Sequence, residues 1–278
     1  MRVQLVSDLH LERYPSYCPA AAPDADVLVL AGDIGSYQAR SLLAGDDFGL
    51  TRFSPRRPHA PWRRVLFLPG NHEYDALPYE ATRVRLRELC EALGIDWLDN
   101  EVLTIDGVRF VGTTLWSDFD ALAARERTET ERFRSRQKAF RAANFYLSKN
   151  STLLNGSPAL AEDLRSLALV AIEGLRRRLA QPFEGVTVAV THFAPTLRSA
   201  DPRYGSTPGT AGFCNDLDEL LPLAQVWMHG HLHCPQDYVV RGVEDGRPWA
   251  CRVVANPRGY ASKGEQAAFR EAFVVEVG

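Results

Sequence analysis

Nowhere in this chain does an apolar run approach the roughly 20 residues that a helix needs to cross a bilayer, so no membrane role is expected. The opening "MRVQLVSDLHLERY" enters strand-like alternation at once and carries acids early, unlike a secretory signal. Cysteine is sparse: five residues, an odd number without paired spacing, which suits reduced thiols in a cytoplasm and argues against a disulfide framework. An excess of either charge is also missing. The net charge of -3 gives no electrostatic ground for a nucleic-acid partner, although it leaves room for a local basic patch. No internal repeat or low-complexity linker is visible. Histidine is scarce as well, with seven in 278 residues, and that scarcity makes "WMHGHLHC" stand out. His229, His231 and His233 crowd together where an apolar run gives way to a turn.

What is present is ordinary globular material, 45% hydrophobic and long enough for one large domain with a real core. Short Val- and Leu-rich runs read as buried strands: "VQLVSD", "DVLVLAGD", "RVLFLPGN", "VRFVGTTLW", "VTVAVTH", "AQVWMHGH", "CRVVAN" and "EAFVVEV". Helical stretches lie between them, including Tyr79 to Leu93 with an apolar stripe through Val84, Leu86, Leu89 and Leu93. Alternating strands and helices predict an α/β layered fold. Residues 117–185 break the rhythm, being rich in helix signal and poor in strand signal. There Ser157 is the expected N-cap and Pro158 the first residue of a helix through Leu160, Leu164, Leu167, Ala171, Leu175 and Leu179. The expectation is a single domain, 1–278, with a helical insertion or cap at about 117–185.

The strand-like runs share their endings. They finish "SDLH", "AGD", "PGNHE", "TH" and "HGHLH", supplying Asp, Asn and His, the oxygen and nitrogen donors of a divalent-metal site. In layered α/β proteins such termini converge at one rim. Alternation along an extended chain would aim Asp8 and His10 to one side, and His231 and His233 likewise. Gly32, Gly70 and Gly230 precede Asp33, Asn71 and His231, where a sharp turn or close backbone approach is useful. Any one of these signals alone is weak; five in order, each at a strand end, form a constellation.

That constellation resembles the calcineurin-like metallophosphoesterase superfamily: "DLH" at 8–10, "GD" at 32–33, "GNHE" at 70–73, "TH" at 191–192 and "GHLH" at 230–233. The stretches "THFAPTLRS" and "NPRGY" look like those of a small, uncharacterised bacterial branch. The resemblance implies two stacked mixed β-sheets flanked by helices, a four-layer αββα sandwich, with two divalent metal ions on its rim. It implies that Asp8, His10 and His233 hold one ion, that Asn71, His192 and His231 hold the other, and that Asp33 bridges them. His72 matches the family's non-ligand histidine, which touches phosphate and can protonate the leaving group. His229 matches no ligand position and is expected on the opposite strand face. Two departures stand out. Many members carry a second acid three positions after "GD", where this chain has Ser36, and many relatives of the branch read "THHAP" where it has Phe193.

Two cations roughly 3.5–4 Å apart would lower the pKa of a bound water and clamp a phosphoryl group for in-line displacement. Carboxylate, amide and imidazole donors suit Mn, Fe or Zn, with no thiolate to select zinc. Arg258 and Arg198 are candidate substrate contacts, and a solvated surface position is an equal alternative for each. Cys234, next to a ligand position, reads as packing. The expected function is hydrolysis of a small phosphodiester or nucleotide by a cytoplasmic enzyme. Phosphomonoesterase is the alternative; a nuclease is disfavoured by the near-neutral charge. A silent metal-bearing scaffold would be expected to have lost ligands or the "GNH" histidine, and all are present.

Overall fold

In a computed structural model that describes all 278 residues, the eight expected strands all form, and they sort into two sheets. The first contains β1 (Arg2–Val6), β2 (Val27–Ala31), β3 (Val65–Leu68) and β4 (Asp96–Trp97), closed by β13 (Val274–Glu276) in the order β13-β1-β2-β3-β4. The second contains β5 (Glu101–Ile105), β6 (Val108–Thr113), β9 (Val186–Thr191), β10 (Val226–His229), β11 (Gln236–Glu244) and β12 (Arg247–Ala255), in the order β11-β12-β10-β9-β6-β5. Both sheets are mixed: β1 to β4 run parallel with β13 antiparallel, and β6, β9, β10 and β12 run parallel between antiparallel β5 and β11.

Alternation within the strands explains the stacking. Val3, Leu5, Val27, Val29, Leu66 and Leu68 point from the first sheet into one buried cluster, where they meet Phe110, Val188, Val190, Val226, Met228 and Val254 of the second. The opposite faces carry Leu28, Leu30, Val65 and Phe67 on one side and Ala189, Trp227 and Val253 on the other, within a larger cluster that also takes in the helices. Helix α1 (Tyr79–Leu93) buries Tyr79, Thr82, Leu86 and Cys90, whereas Val84, expected in its stripe, is 55% exposed. The result is the four-layer αββα arrangement.

Within 117–185 lie α2 (Glu129–Leu147) and α3 (Ala161–Leu179), separated by a small hairpin of β7 (Leu153–Leu154) and β8 (Ser157–Pro158). Thr128 and Glu131 cap α2 reciprocally, and α3 buries Leu164, Ala168, Ala171, Ile172, Leu175 and Leu179 at helical spacing. Ser157 and Pro158 are therefore not the start of α3. The preceding Asn155-Gly156 pair, at φ 51° and 81°, makes a tight hairpin turn, and a two-residue Asn-Gly loop outweighs the Ser-Pro signal. The helix begins instead at Ala161, where Asp163 Oδ2 accepts the Leu160 N–H at 2.9 Å. No helix is long and apolar enough to cross a membrane.

Candidate metal centre

Because β1, β2 and β3 are parallel, as are β9 and β10, the expected donors all leave their strands at one rim. The loops there are sewn together by backbone bonds: Asp8 N–H to Gly32 O (3.0 Å), His10 N–H to Asp33 O (3.1 Å), Gly259 N–H to Asp8 O (3.0 Å) and Gly230 N–H to His192 O (3.0 Å). These segments are not extended. Asp8, His10, Asp33, His231 and His233 have φ of 53°, 49°, 55°, 70° and 49°. The sequence suggested that the pairs Asp8/His10 and His231/His233 converge by alternation along an extended chain; they converge instead through left-handed residues. Each such non-glycine residue costs on the order of 1 kcal/mol or more, and the surrounding bonds hold it in place. The glycines permit the crowding: a Cβ at Gly70 would lie 2.6 Å from His192 Nε2, and one at Gly230 would lie 2.7 Å from Asp8 Oδ2.

The rim brings together three overlapping groups of donor atoms, each within 4.8 Å of one another: Asp8, His10, Asp33 and His233; Asp33, His192 and His231; and His10, Glu12 and His72. Asp33 belongs to the first two. Asn71 joins the second through its Oδ1, 3.3 Å from His192 Nε2. The chemistry of this set fits cations. His10 Nδ1 lies 3.0 Å from Glu12 Oε1 and His233 Nδ1 lies 2.7 Å from Glu265 Oε2. With those nitrogens donating, the two neutral rings aim lone pairs at each other across a 2.9 Å gap between their Nε2 atoms. Only a shared proton or a cation relieves that contact. His231 Nε2 is buried and has no partner at all, although its backbone N–H bonds both oxygens of Asp8 at 3.1 Å. His192 is held the same way as His10, its Nδ1–H donating to Ala31 O at 2.9 Å, which leaves Nε2 facing Asp33 Oδ2 at 3.3 Å.

Burial works against every charge here, and the neighbours override it selectively. Burial raises Asp8, but the hydrogen bond and charge of His233 hold it at about 2. Burial likewise opposes ionisation of Asp33, which the charges of His192 and His72 hold well below the usual range. His192 and His233 resist burial and rise to about 9, chiefly through Asp33 and Asp8 respectively. His10 and His231 are pushed down by burial. Protons thus sit where cations would, so metal uptake should release them.

His72 holds a different position. Its backbone N–H bonds Asp33 Oδ1 at 2.9 Å, its Nδ1 lies 2.5 Å from Asp75 Oδ2, and its Nε2 stays 3.9 Å from Asp33 Oδ2. Against burial, the charges of Asp75 and Asp33 raise it well above the ordinary histidine range. Asn150, just past α2, donates to Asp75 Oδ2 at 2.8 Å and reaches Gln38 Oε1 at 3.2 Å. A cleft of about 810 Å³ opens beside His72 and is lined by Asn71, His231, Phe193 and residues of α2. Phe193 packs on the His231 ring with centroids 4.0 Å apart, so it braces a donor.

The other candidates lie apart. Arg198 pairs with Asp218 at 3.0 Å and its side chain is 57% exposed, while the Arg258 guanidinium stacks on Tyr14 and Tyr17 at 4.2 and 4.1 Å. Neither lines the cleft. His229 is buried on the far side of β10, its Nδ1–H reaching Gly230 O and its Nε2 accepting from Ser199, both at 3.0 Å. Ser36 is buried and caps Gln38 N–H, and Cys234 touches Gln236 at 3.5 Å.

Four supporting carboxylates escaped the sequence reading. Glu12, Asp75 and Glu265 orient the rings of His10, His72 and His233. Glu73, fully buried, accepts four backbone N–H groups, from Asp33 (3.0 Å), Ile34 (2.6 Å), Gly35 (3.2 Å) and Gly70 (2.7 Å). Burial and the charge of Asp33 push Glu73 up to about 7. Short spacing within "HLE" and "HEYD" could have flagged three of the four; Glu265 has no local signal.

Residues 1–235 match the sequence profile described as calcineurin-like phosphoesterase. An uncharacterised protein, L509, of Acanthamoeba polyphaga mimivirus is 24% identical over 269 residues, covering 87% of this chain and 89% of its own. Among solved structures, phosphopantetheinyl hydrolase from Mycobacterium tuberculosis shares the fold with a TM-score of 0.63 at 21% identity, over 96% of this chain and 92% of its own. A dimetal phosphatase from Danio rerio, 11% identical over 92% of this chain and 86% of its own, superposes with a TM-score of only 0.31. With the profile running from the first strand through both histidines of "GHLH", this chain belongs to the calcineurin-like phosphoesterase family, whose members are metal-dependent phosphoester hydrolases.

Proposed function

We propose that the chain is a binuclear phosphoesterase hydrolysing a small phosphodiester or nucleotide. The observation that carries this is the facing pair His10 Nε2 and His233 Nε2, 2.9 Å apart with both Nδ1 atoms committed to carboxylates. Asp8, His10 and His233 would hold one divalent ion, Asn71, His192 and His231 the other, and Asp33 both. Mn, Fe or Zn suits these donors. Bound there, the ions supply charge neutralisation for the phosphoryl group and a more acidic water.

The chain's own residues do the rest. Glu12, Glu265 and the Ala31 carbonyl fix the tautomers of three ligand rings. His72, held by Asp75 and partly open to the cleft, contacts the phosphoryl oxygens or delivers a proton to the departing one. Phe193 and Trp116 line the same cleft and exclude water from one wall. Within a single domain, the segment 117–185 acts as a cap: α2 forms the opposite wall.

The test is hydrolysis of bis(p-nitrophenyl) phosphate, p-nitrophenyl phosphate and alkyl esters after separate loading with Mn²⁺, Fe²⁺ and Zn²⁺. Diester turnover that vanishes on chelation and returns with metal is expected. Inertness toward every ester with two ions bound would refute the proposal. His72→Ala should keep both ions and lose roughly 10²–10⁴-fold in rate, less for a nitrophenyl leaving group that needs no proton. An equal loss for alkyl and nitrophenyl esters would assign His72 to phosphate binding alone.

A further inference from the structure

The near-neutral composition conceals one strongly one-signed stretch. From residue 132 to 150, "RFRSRQKAFRAANFYLSKN", there are six cations and no carboxylate. Most of this stretch is α2, the wall of the cleft. Two of its arginines are engaged: Arg136 pairs with Asp120 at 2.5 Å, and Arg132 donates to the Glu126 carbonyl at 3.1 Å. Lys138, Arg141 and Lys149 line the cleft instead, and none of the three side chains has a carboxylate partner or a hydrogen bond. Lys149 only rests on the Phe145 ring, 3.8 Å from its centroid. Among cleft-lining side chains the one carboxylate is Asp75, already bound to His72 and Asn150.

Aromatic surface lies within the same cleft. Tyr146, 70% exposed, lies on the α2 side, and Phe213, 47% exposed, packs against His231 with centroids 5.2 Å apart. Lys138 and Tyr146 are eight residues apart on one helix, about 12 Å along its axis. A lone phosphoryl group at the rim cannot use a strip of that length. An elongated ester can, if it carries a flat apolar middle for the aromatic side chains and a second anionic group for the unpaired cations.

We propose that this strip is a second anion subsite and that the substrate is a small ester of nucleotide chemistry: a scissile phosphoryl group at the rim, a flat body in the cleft, and at least one further phosphate on Lys138, Arg141 or Lys149. The inference rests on the phosphoesterase reading above and narrows its substrate class. It also gives the segment 117–185 a binding role beyond covering the sheet.

The experiment follows hydrolysis of bis(p-nitrophenyl) phosphate, which has one anion, in competition with adenosine, adenosine 5′-diphosphate or inorganic phosphate. Adenosine 5′-diphosphate should inhibit at least tenfold more tightly than adenosine or phosphate. Against Lys138→Glu/Arg141→Glu its inhibition constant should rise roughly tenfold or more, since like charges now meet across the cleft, and rise more than the KM for the nitrophenyl ester. Arg134→Glu, one such charge reversal and so half the charge change, at a position of α2 that does not line the cleft, should shift that constant less than about twofold. Should the double reversal fold poorly by circular dichroism, Lys138→Ala/Arg141→Ala replaces it, with a smaller expected rise. Loss of adenosine 5′-diphosphate inhibition no greater than that of Arg134→Glu overturns the subsite. Tighter inhibition by a single-stranded oligonucleotide than by adenosine 5′-diphosphate overturns the small-molecule assignment in favour of a nucleic-acid chain. A wild type that hydrolyses no ester with any metal would instead remove the phosphoesterase reading itself.

Discussion

Glu73→Gln removes one charge and changes no volume, yet it should disturb the whole rim. The carboxylate bonds the "GD" turn to the "GN" turn: Oε1 accepts from Ile34 and Gly35, and Oε2 accepts from Asp33 and Gly70. A glutamine keeps one acceptor oxygen and sets an NH₂ against the other two donors. Glu73 has no solvent exposure, so water cannot compensate. Each buried N–H left unsatisfied costs about 1–3 kcal/mol, so two should cost about 2–6 kcal/mol. For a domain of this size each kcal/mol lowers Tm by about 2–4 °C, which makes the expected drop roughly 5–20 °C. Glu73→Ala leaves four orphaned donors, about 4–12 kcal/mol, comparable to the entire stability of an ordinary domain. Melting should be followed at pH 8, above the value of about 7 to which Glu73 is raised, so that the wild-type group is ionised. Metal titration of the same variant should show about 10–100-fold weaker binding, because Asp33 and Asn71 flank the loosened turns. If the glutamine variant melts within about 2 °C of wild type and binds metal as tightly, the four N–H contacts do not organise the site.

Three further perturbations separate ligands from their supports. Asp33→Asn should abolish most bound metal by elemental analysis, whereas His229→Ala should leave it in place; equal losses would mean that the histidine cluster has been divided wrongly. Because burial depresses His229 to about 4, the unfolded chain takes up its proton first as pH falls from about 6.5, and native stability drops across that window. His229→Gln should lessen the drop in chemical denaturation between pH 6.5 and 4, and an unchanged slope would count against a neutral buried ring. Asp75→Asn and Asn150→Ala should keep both ions and slow alkyl esters more than nitrophenyl esters, by roughly tenfold for Asn150 and more for Asp75, if they act by aiming His72. A uniform loss across both esters would make them structural props only.

The residues of the rim were legible because metal donors are few in kind and strand ends are where they collect. Asp8, Asp33, Asn71, His192 and His231 each close or follow a Val- or Leu-rich run, and parallel pairing within each sheet puts those ends side by side. The sheets themselves were legible from the same alternation. Element boundaries set by turns were less so. Asn155-Gly156 outranked Ser157-Pro158 because a two-residue hairpin satisfies backbone groups on both arms, while an N-cap satisfies one end.

What the pattern could not reveal were relations across long sequence separations. Glu265 meets His233 over 32 residues, and Asn150 meets Asp75 over 75. Left-handed backbone at Asp8, His10 and His233 was invisible for another reason: Asp and His tolerate it better than most residues but do not dictate it, and the surrounding loops hold it. The consequence is chemical. Had "DLH" and "HLH" been extended, the two side chains of each pair would reach out in parallel, spaced by nearly 7 Å. Turned left-handed, Asp8 and His10 fold back toward His233, whose ring nitrogen comes within 2.9 Å of the His10 nitrogen and 3.3 Å of the Asp8 carboxylate. Backbone strain at the rim thus gathers donors that a relaxed chain would hold apart, and a cation between them is what would return that energy.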